Sequence, residues 1–86
     1  MSKLVVVQLD DWCGIYVHGK LEDEGHLDET LMIQEIKPEF FPIEKVEFID
    51  AYEDEEEVLK EGWRMPKTLQ EVLDIVEVDV PEEFLE

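Results

Sequence analysis

A small α+β fold, with a mostly antiparallel sheet and two or three short helices packed on one face, is what this chain predicts. Three observations carry that expectation. Lys3 to Leu9 (KLVVVQL) is a continuous, β-branched apolar run, and Ile43 to Tyr52 is a second segment of strand character. Thr68-x-x-Glu71 then opens a stretch with apolar residues at helical spacing. The 86 residues are expected to make one domain, 1–86, with a thin core, because a chain this short buries roughly 60–65 % of its unfolded surface. Hydrophobic residues at 44 % are well above the apolar poverty of disordered acidic tails.

The elements follow in order. The Lys3 to Leu9 run reads as a strand buried on both faces. Asp10-Asp11 turns the chain, and Trp12 to Val17 (WCGIYV) reads as the antiparallel partner, in which Gly14 marks a bulge or a close backbone approach. His18-Gly19 is a two-residue turn, since His tolerates positive φ better than most residues and Gly adopts it freely. Lys20-Leu21-Glu22 returns as a short strand. Asp28 caps a helix to about Lys37, with Leu27, Leu31, Met32 and Ile36 as its buried stripe and Pro38 as its stop.

Phe40-Phe41-Pro42 is an apolar connector. In the strand that follows, Val46, Phe48, Asp50 and Tyr52 share one face, and Ile49 and Ala51 the other. Asp54 to Glu61 has helix grammar, with acids in the first turn, Lys60 in the last and Gly62 as the stop. Leu69, Val72, Leu73 and Val76 line the helix behind the capping box. Val76 to Val80 (VEVDV) also alternates, so a final strand before Pro81 stays open beside a longer helix.

Charge limits the partners. There are 25 acidic residues against 7 basic, a formal net of -18. Such a surface repels nucleic acid and anionic membranes and attracts basic proteins and cations, so neither direct nucleic-acid binding nor membrane binding is expected. Glu47 to Leu59 and Thr68 to Glu86 hold seven acids each and no base, 14 of the 25 carboxylates together. If residues 76–80 form a strand, Glu77 and Asp79 lie about 6.7 Å apart on one face. That makes a row of negative charge comparable with the phosphates of a duplex.

No catalytic constellation is legible. Cys13, the single cysteine, follows two acids that raise a thiol pKa, so it reads as a buried structural residue in a reducing, cytoplasmic protein. Met1 to Leu9 has neither the length nor the flanks of a secretory signal. His18 and His26, with Glu22-Asp23-Glu24 and Asp28, are the candidate metal set. Two histidines eight residues apart match no recurring ligand spacing, so neither a metal site nor a cofactor is expected. No phosphate-cradling loop is present in the sequence.

The segment Trp12-x-Gly14-x-Tyr16-Val17-x-Gly19-Lys20-Leu21-x-x-Glu24-Gly25-His26-Leu27 resembles a hairpin of small bacteriophage and prophage proteins of unknown function. Glu61-Gly62-Trp63-Arg64-Met65-Pro66-Lys67-Thr68-Leu69 is similar to a glycine–proline–leucine element near their C-termini. The resemblance spans about half of the chain and carries no known activity. It implies a phage origin and a host cytoplasm. Phages encode small acidic proteins that block host factors, DNA mimics among them, so it also implies an inhibitor.

The expected function is a non-enzymatic acidic module that binds a basic, nucleic-acid-binding protein as a decoy or inhibitor. Glu53, Asp54, Glu55, Glu56 and Glu57 are the electrostatic contact, Glu77 and Asp79 a second row, and Trp63 the apolar anchor. The alternative is a structural or self-associating domain, a homodimer through an edge strand or the Phe40-Phe41 patch, whose acidity only confers solubility.

Overall fold

β1 (Ser2–Gln8) is the spine of the fold. The computed structural model describes residues 2–26, 39, 42–60 and 62–85. The helix expected from Asp28 to Lys37, its Pro38 stop and the Phe40-Phe41 patch lie outside the described residues. Leu4, Val5, Val6 and Val7 are all fully buried, as the β-branched run predicts for a strand covered on both faces. β2 (Cys13–Val17) pairs with it antiparallel, Leu4 opposite Val17 and Gln8 opposite Cys13. β3 (Lys20–Gly25) pairs antiparallel with β2, and β4 (Ile43–Asp50) lies parallel to β1. The sheet order is β3-β2-β1-β4, so two of its three ladders are antiparallel. The fold is therefore α+β, as expected.

The β2–β3 turn is His18-Gly19 with φ of 52° and 78°, the pair of positive values that a two-residue hairpin requires. β3 runs three residues beyond the expected strand and contains the bulge. Ile15 faces Asp23 and Tyr16 faces Leu21, which leaves Glu22 as the extra residue. Gly14 marks a close approach instead, made by a side chain: a Cβ there would sit 2.9 Å from Met65 Cγ.

On one face of the sheet, Val5, Val7, Leu9 and Tyr16 pack with residues from the C-terminal half. A 3-10 turn at Tyr52–Asp54 leads into α1 (Glu55–Val58), a single turn that buries Val58 and ends two residues before Lys60. Gly62, expected as the stop of this helix, lies beyond its C-cap Leu59, at φ 101°. α2 (Leu69–Val76) turns Leu69, Val72 and Leu73 into this core. Thr68 is its N-cap, and Thr68 Oγ1 accepts the Glu71 backbone N–H at 3.4 Å, the forward half of the capping box. A final 3-10 turn, Glu82–Phe84, seats Phe84 in the same core. Leu4, Val6, Cys13, Ile15 and Val17 form a second buried cluster on the opposite face.

The alternating segment VEVDV is not a strand. α2 closes at Val76, Glu77 takes the left-handed conformation at φ 55°, and Val78 to Val80 pair with no strand. The outer edge of β3 is already engaged by the α2 lead-in. Lys20 bridges Thr68, the Leu21 N–H donates to the Lys67 carbonyl, and the Leu69 N–H donates to the Gly19 carbonyl. No helix among the described residues is long and apolar enough to cross a membrane.

Candidate functional site

The β1–β2 turn, the end of β3 and the segment after α1 converge at one end of the sheet. Trp12 and His26 come together because β2 and β3 pair to their last residues, Cys13 opposite Gly25. Their ring centroids lie 4.7 Å apart, edge to face. Trp63 completes a triad, 5.4 Å from Trp12 and 5.6 Å from His26. These are separations at which aromatic rings attract beyond simple area burial. Trp63 remains 54 % exposed and belongs to neither core cluster, so it is a surface indole with its orientation fixed by two ring neighbours.

A single carboxylate oxygen holds this arrangement. Glu24 Oε1 accepts from Trp12 Nε1 at 3.1 Å and from the Met65 backbone N–H at 2.7 Å. It thereby ties the hairpin to the segment carrying Trp63 across 41 residues of sequence. His26 Nδ1 lies 3.0 Å from the Asp11 carbonyl oxygen, which can only accept, so Nδ1 carries the proton. Glu24 and His26 are functional candidates that the sequence did not single out for this role. One acid among 25 has no local signature, and the two residues that Glu24 joins are remote from each other in sequence.

Of the expected acidic contact residues, Glu55 and Glu56 fall beside Trp63. Glu53, Glu56 and Glu57 are exposed, and Asp54 and Glu55 are half-buried. Glu55 Oε1 accepts the Asp11 N–H at 2.8 Å, so it pins α1 to the β1–β2 turn as well as contributing charge. Glu55, Glu56, Leu59 and Trp63 line a cavity of about 440 Å³ with Lys60 and Gly62. Three of the expected contact features, Glu55, Glu56 and the Trp63 indole, are thus brought together.

The second row is not formed. Glu77 is a helix C-cap and Asp79 is exposed in irregular chain, so the strand spacing that would align their charges is absent. Between α1 and α2 the surface also carries Lys60, Arg64 and Lys67, which interrupt the negative field between the two acidic stretches.

His18 and His26 stand at opposite ends of β3, about 20 Å apart at the rise of a strand, so one ion cannot be shared between them. Asp10, Asp11 and Glu55 do bring ligand atoms within 4.8 Å of one another. Three carboxylates suit any hard cation and select none. Cys13 is buried in the second cluster, the structural position expected of it.

Tyr16 crosses the helix-side core. Its hydroxyl donates to the Pro66 carbonyl at 2.6 Å. Burial, followed by the charges of Glu24 and Glu71, pushes its pKa far above the ordinary 10.0. It is a neutral structural donor that fixes Pro66, one residue after the Met65 held by Glu24 and two before the α2 cap Thr68. Comparison of the chain with protein-family models, with curated proteins and with solved structures returned no match.

Proposed function

We propose that this chain is a non-enzymatic acidic module that docks on the basic surface of a nucleic-acid-binding protein, with α1 and Trp63 as its contact. The supporting observation is one juxtaposition. An indole that is half exposed, yet braced by Trp12 and His26, stands beside Glu55 and Glu56 at a cavity on a chain of net charge -18. A guanidinium or ammonium entering there meets an aromatic face and a carboxylate together, a pairing worth more than either alone once water is excluded. The braced ring has little rotamer freedom left to lose, which lowers the entropic cost of contact. A cytoplasmic location, a phage origin and inhibition by occupation of a DNA-binding surface belong to the same proposal.

The test is a pull-down from cytoplasmic lysate at low and high salt, repeated with competing duplex DNA. Retention of a basic nucleic-acid-binding protein that DNA displaces is expected, with steep loss in salt. Trp63→Ala should weaken it, as should the exposed triple reversal Glu53→Lys, Glu56→Lys, Glu57→Lys. Glu55 is spared because it holds Asp11. Retention indifferent to both variants places the contact elsewhere and overturns the proposal.

A second reading is self-association through β4, the edge strand beside β1 among the described residues, whose Val46 and Phe48 are 37 % and 54 % exposed. Its mark is a dimer mass by light scattering that survives high salt and is lost in Phe48→Lys.

A further inference from the structure

A cavity of about 600 Å³ opens between the end of α1, segment 64–67 and α2. Its volume is that of a small-molecule pocket. Lys60, Arg64 and Lys67 line it, three of the seven basic residues of the whole chain. Elsewhere Lys3 lies 3.9 Å from Glu44 and Lys45 lies 2.9 Å from Glu83, while Lys20 forms no ion pair among the described residues. Among the described residues the three at the cavity form no ion pair, on a chain with 25 carboxylates to choose from. The floor is apolar, formed by Val58, Met65 and Ile75.

The lining also carries Glu71 and Asp74, and among the described residues neither forms an ion pair with the three cations. Asp74 Oδ1 accepts from Gln70 Nε2 at 3.0 Å, and Glu71 faces the Tyr16 phenol closely enough to disfavour its ionisation. The lining keeps one net positive charge. That balance suits one anionic group and disfavours a polyanion, which would extend beyond the cavity onto acidic surface. Over the ~8 Å Debye length of physiological salt, a compact ligand senses the three cations more than the distant acids.

We propose that this cavity binds a small organic anion, a single carboxylate or phosphate group carried on an apolar body. The head lies among Lys60, Arg64 and Lys67, and the body covers Val58, Met65 and Ile75. The site adjoins the protein-docking contact, with Lys60 lining both cavities, and does not depend on that reading.

Amide chemical shifts of the intact chain, titrated with sodium hexanoate, hexyl phosphate, hexylammonium chloride and inorganic phosphate, test it. Saturable shifts at Arg64, Met65, Lys67 and Ile75 are expected with hexanoate or hexyl phosphate, and the stronger of the two identifies the head group. Inorganic phosphate should bind more weakly and hexylammonium not at all. Arg64→Gln with Lys67→Gln should weaken the preferred ligand about tenfold, the loss of roughly one charge-assisted contact. Lys60→Gln supplies a second variant if that pair perturbs folding. Equal binding of hexylammonium, or shifts that stay linear and spread over all lysines, overturns the proposal.

Discussion

Gly19 and Gly62 offer a controlled comparison of two ways in which a side chain fails to fit. Both have positive φ, 78° and 101°, where an L-residue is strained. At Gly62 an added Cβ meets nothing within 4 Å, so Gly62→Ala carries the backbone cost alone, about 1–2 kcal/mol. At Gly19 the same Cβ would lie 2.6 Å from the carbonyl oxygen of Leu85 and 3.3 Å from its carbonyl carbon. Backbone cannot rotate aside as a side chain does, so the 82–85 segment must move. That segment holds Phe84, which is 3 % exposed. Partial loss of its burial, worth about 1.5–3 kcal/mol when complete, adds to the strain. Gly19→Ala should therefore cost about 3–4 kcal/mol, a large share of the ~4–13 kcal/mol expected for a chain of this length. Urea unfolding followed by far-UV circular dichroism measures both. With m of about 1–2 kcal/mol/M, the Gly19→Ala midpoint should fall by well over 1 M, and the Gly62→Ala midpoint by about half as much. A Gly62→Ala loss equal to or larger than that of Gly19→Ala would show that Leu85 does not rest on the β2–β3 turn.

Three further outcomes follow from the same packing. Tyr16→Phe removes the donor to Pro66 and should cost about 1–2 kcal/mol at neutral pH by urea unfolding. Because the folded state holds this phenol protonated, its contribution is complete below the unfolded value of 10.0 and declines as pH rises above it; Tyr16→Phe should lack that alkaline decline. Glu24→Ala should cost about 1–3 kcal/mol and blue-shift or broaden Trp fluorescence as Trp12 is released, whereas Glu24→Gln keeps an acceptor oxygen and should lose much less. Gly14→Ala should destabilise by about 1–2 kcal/mol through Met65 Cγ at 2.9 Å, yet cost nothing in a Met65→Ala background; equal costs in the two backgrounds would refute the contact.

The parts of the fold that were legible are those whose cause is local. Lys3 to Leu9 announces a doubly buried strand because four consecutive apolar residues cannot all be hidden on one face. His18-Gly19 and Thr68 act through their own backbone geometry, so their neighbours in sequence suffice. β3 was read three residues short because Asp23, Glu24 and Gly25 have poor strand propensity. Their place comes from the β2 ladder and, for Glu24, from the two donors it receives. VEVDV misled in the opposite sense: α2 runs through Val76 and Glu77 closes it in the left-handed conformation, so the alternating residues are not laid out as a strand. The aromatic triad had no signature at all. Trp12, His26 and Trp63 meet only after the hairpin closes and the chain returns past α1. Trp63 was singled out as an anchor on residue type, and His26 only as a candidate metal ligand. The basic cavity was hidden in the same way, since Lys60, Arg64 and Lys67 look unremarkable until the chain bends at Gly62.

The parallel pairing of β1 with β4 also sets a schedule for the nascent chain. Val5 lies opposite Tyr16 on one side and Glu47 on the other. At a synthesis rate of roughly 5–20 residues per second, the first partner follows Val5 in about 0.5–2 s, and the second takes about 2–8 s. The meander β1-β2-β3 can therefore close on the ribosome while the other side of its most apolar strand still lacks a neighbour. During that interval the Leu4 to Val7 backbone is an open template for any extended segment nearby. A chaperone that covers the first 25 residues until Asp50 has emerged should raise the soluble yield most when translation is slow.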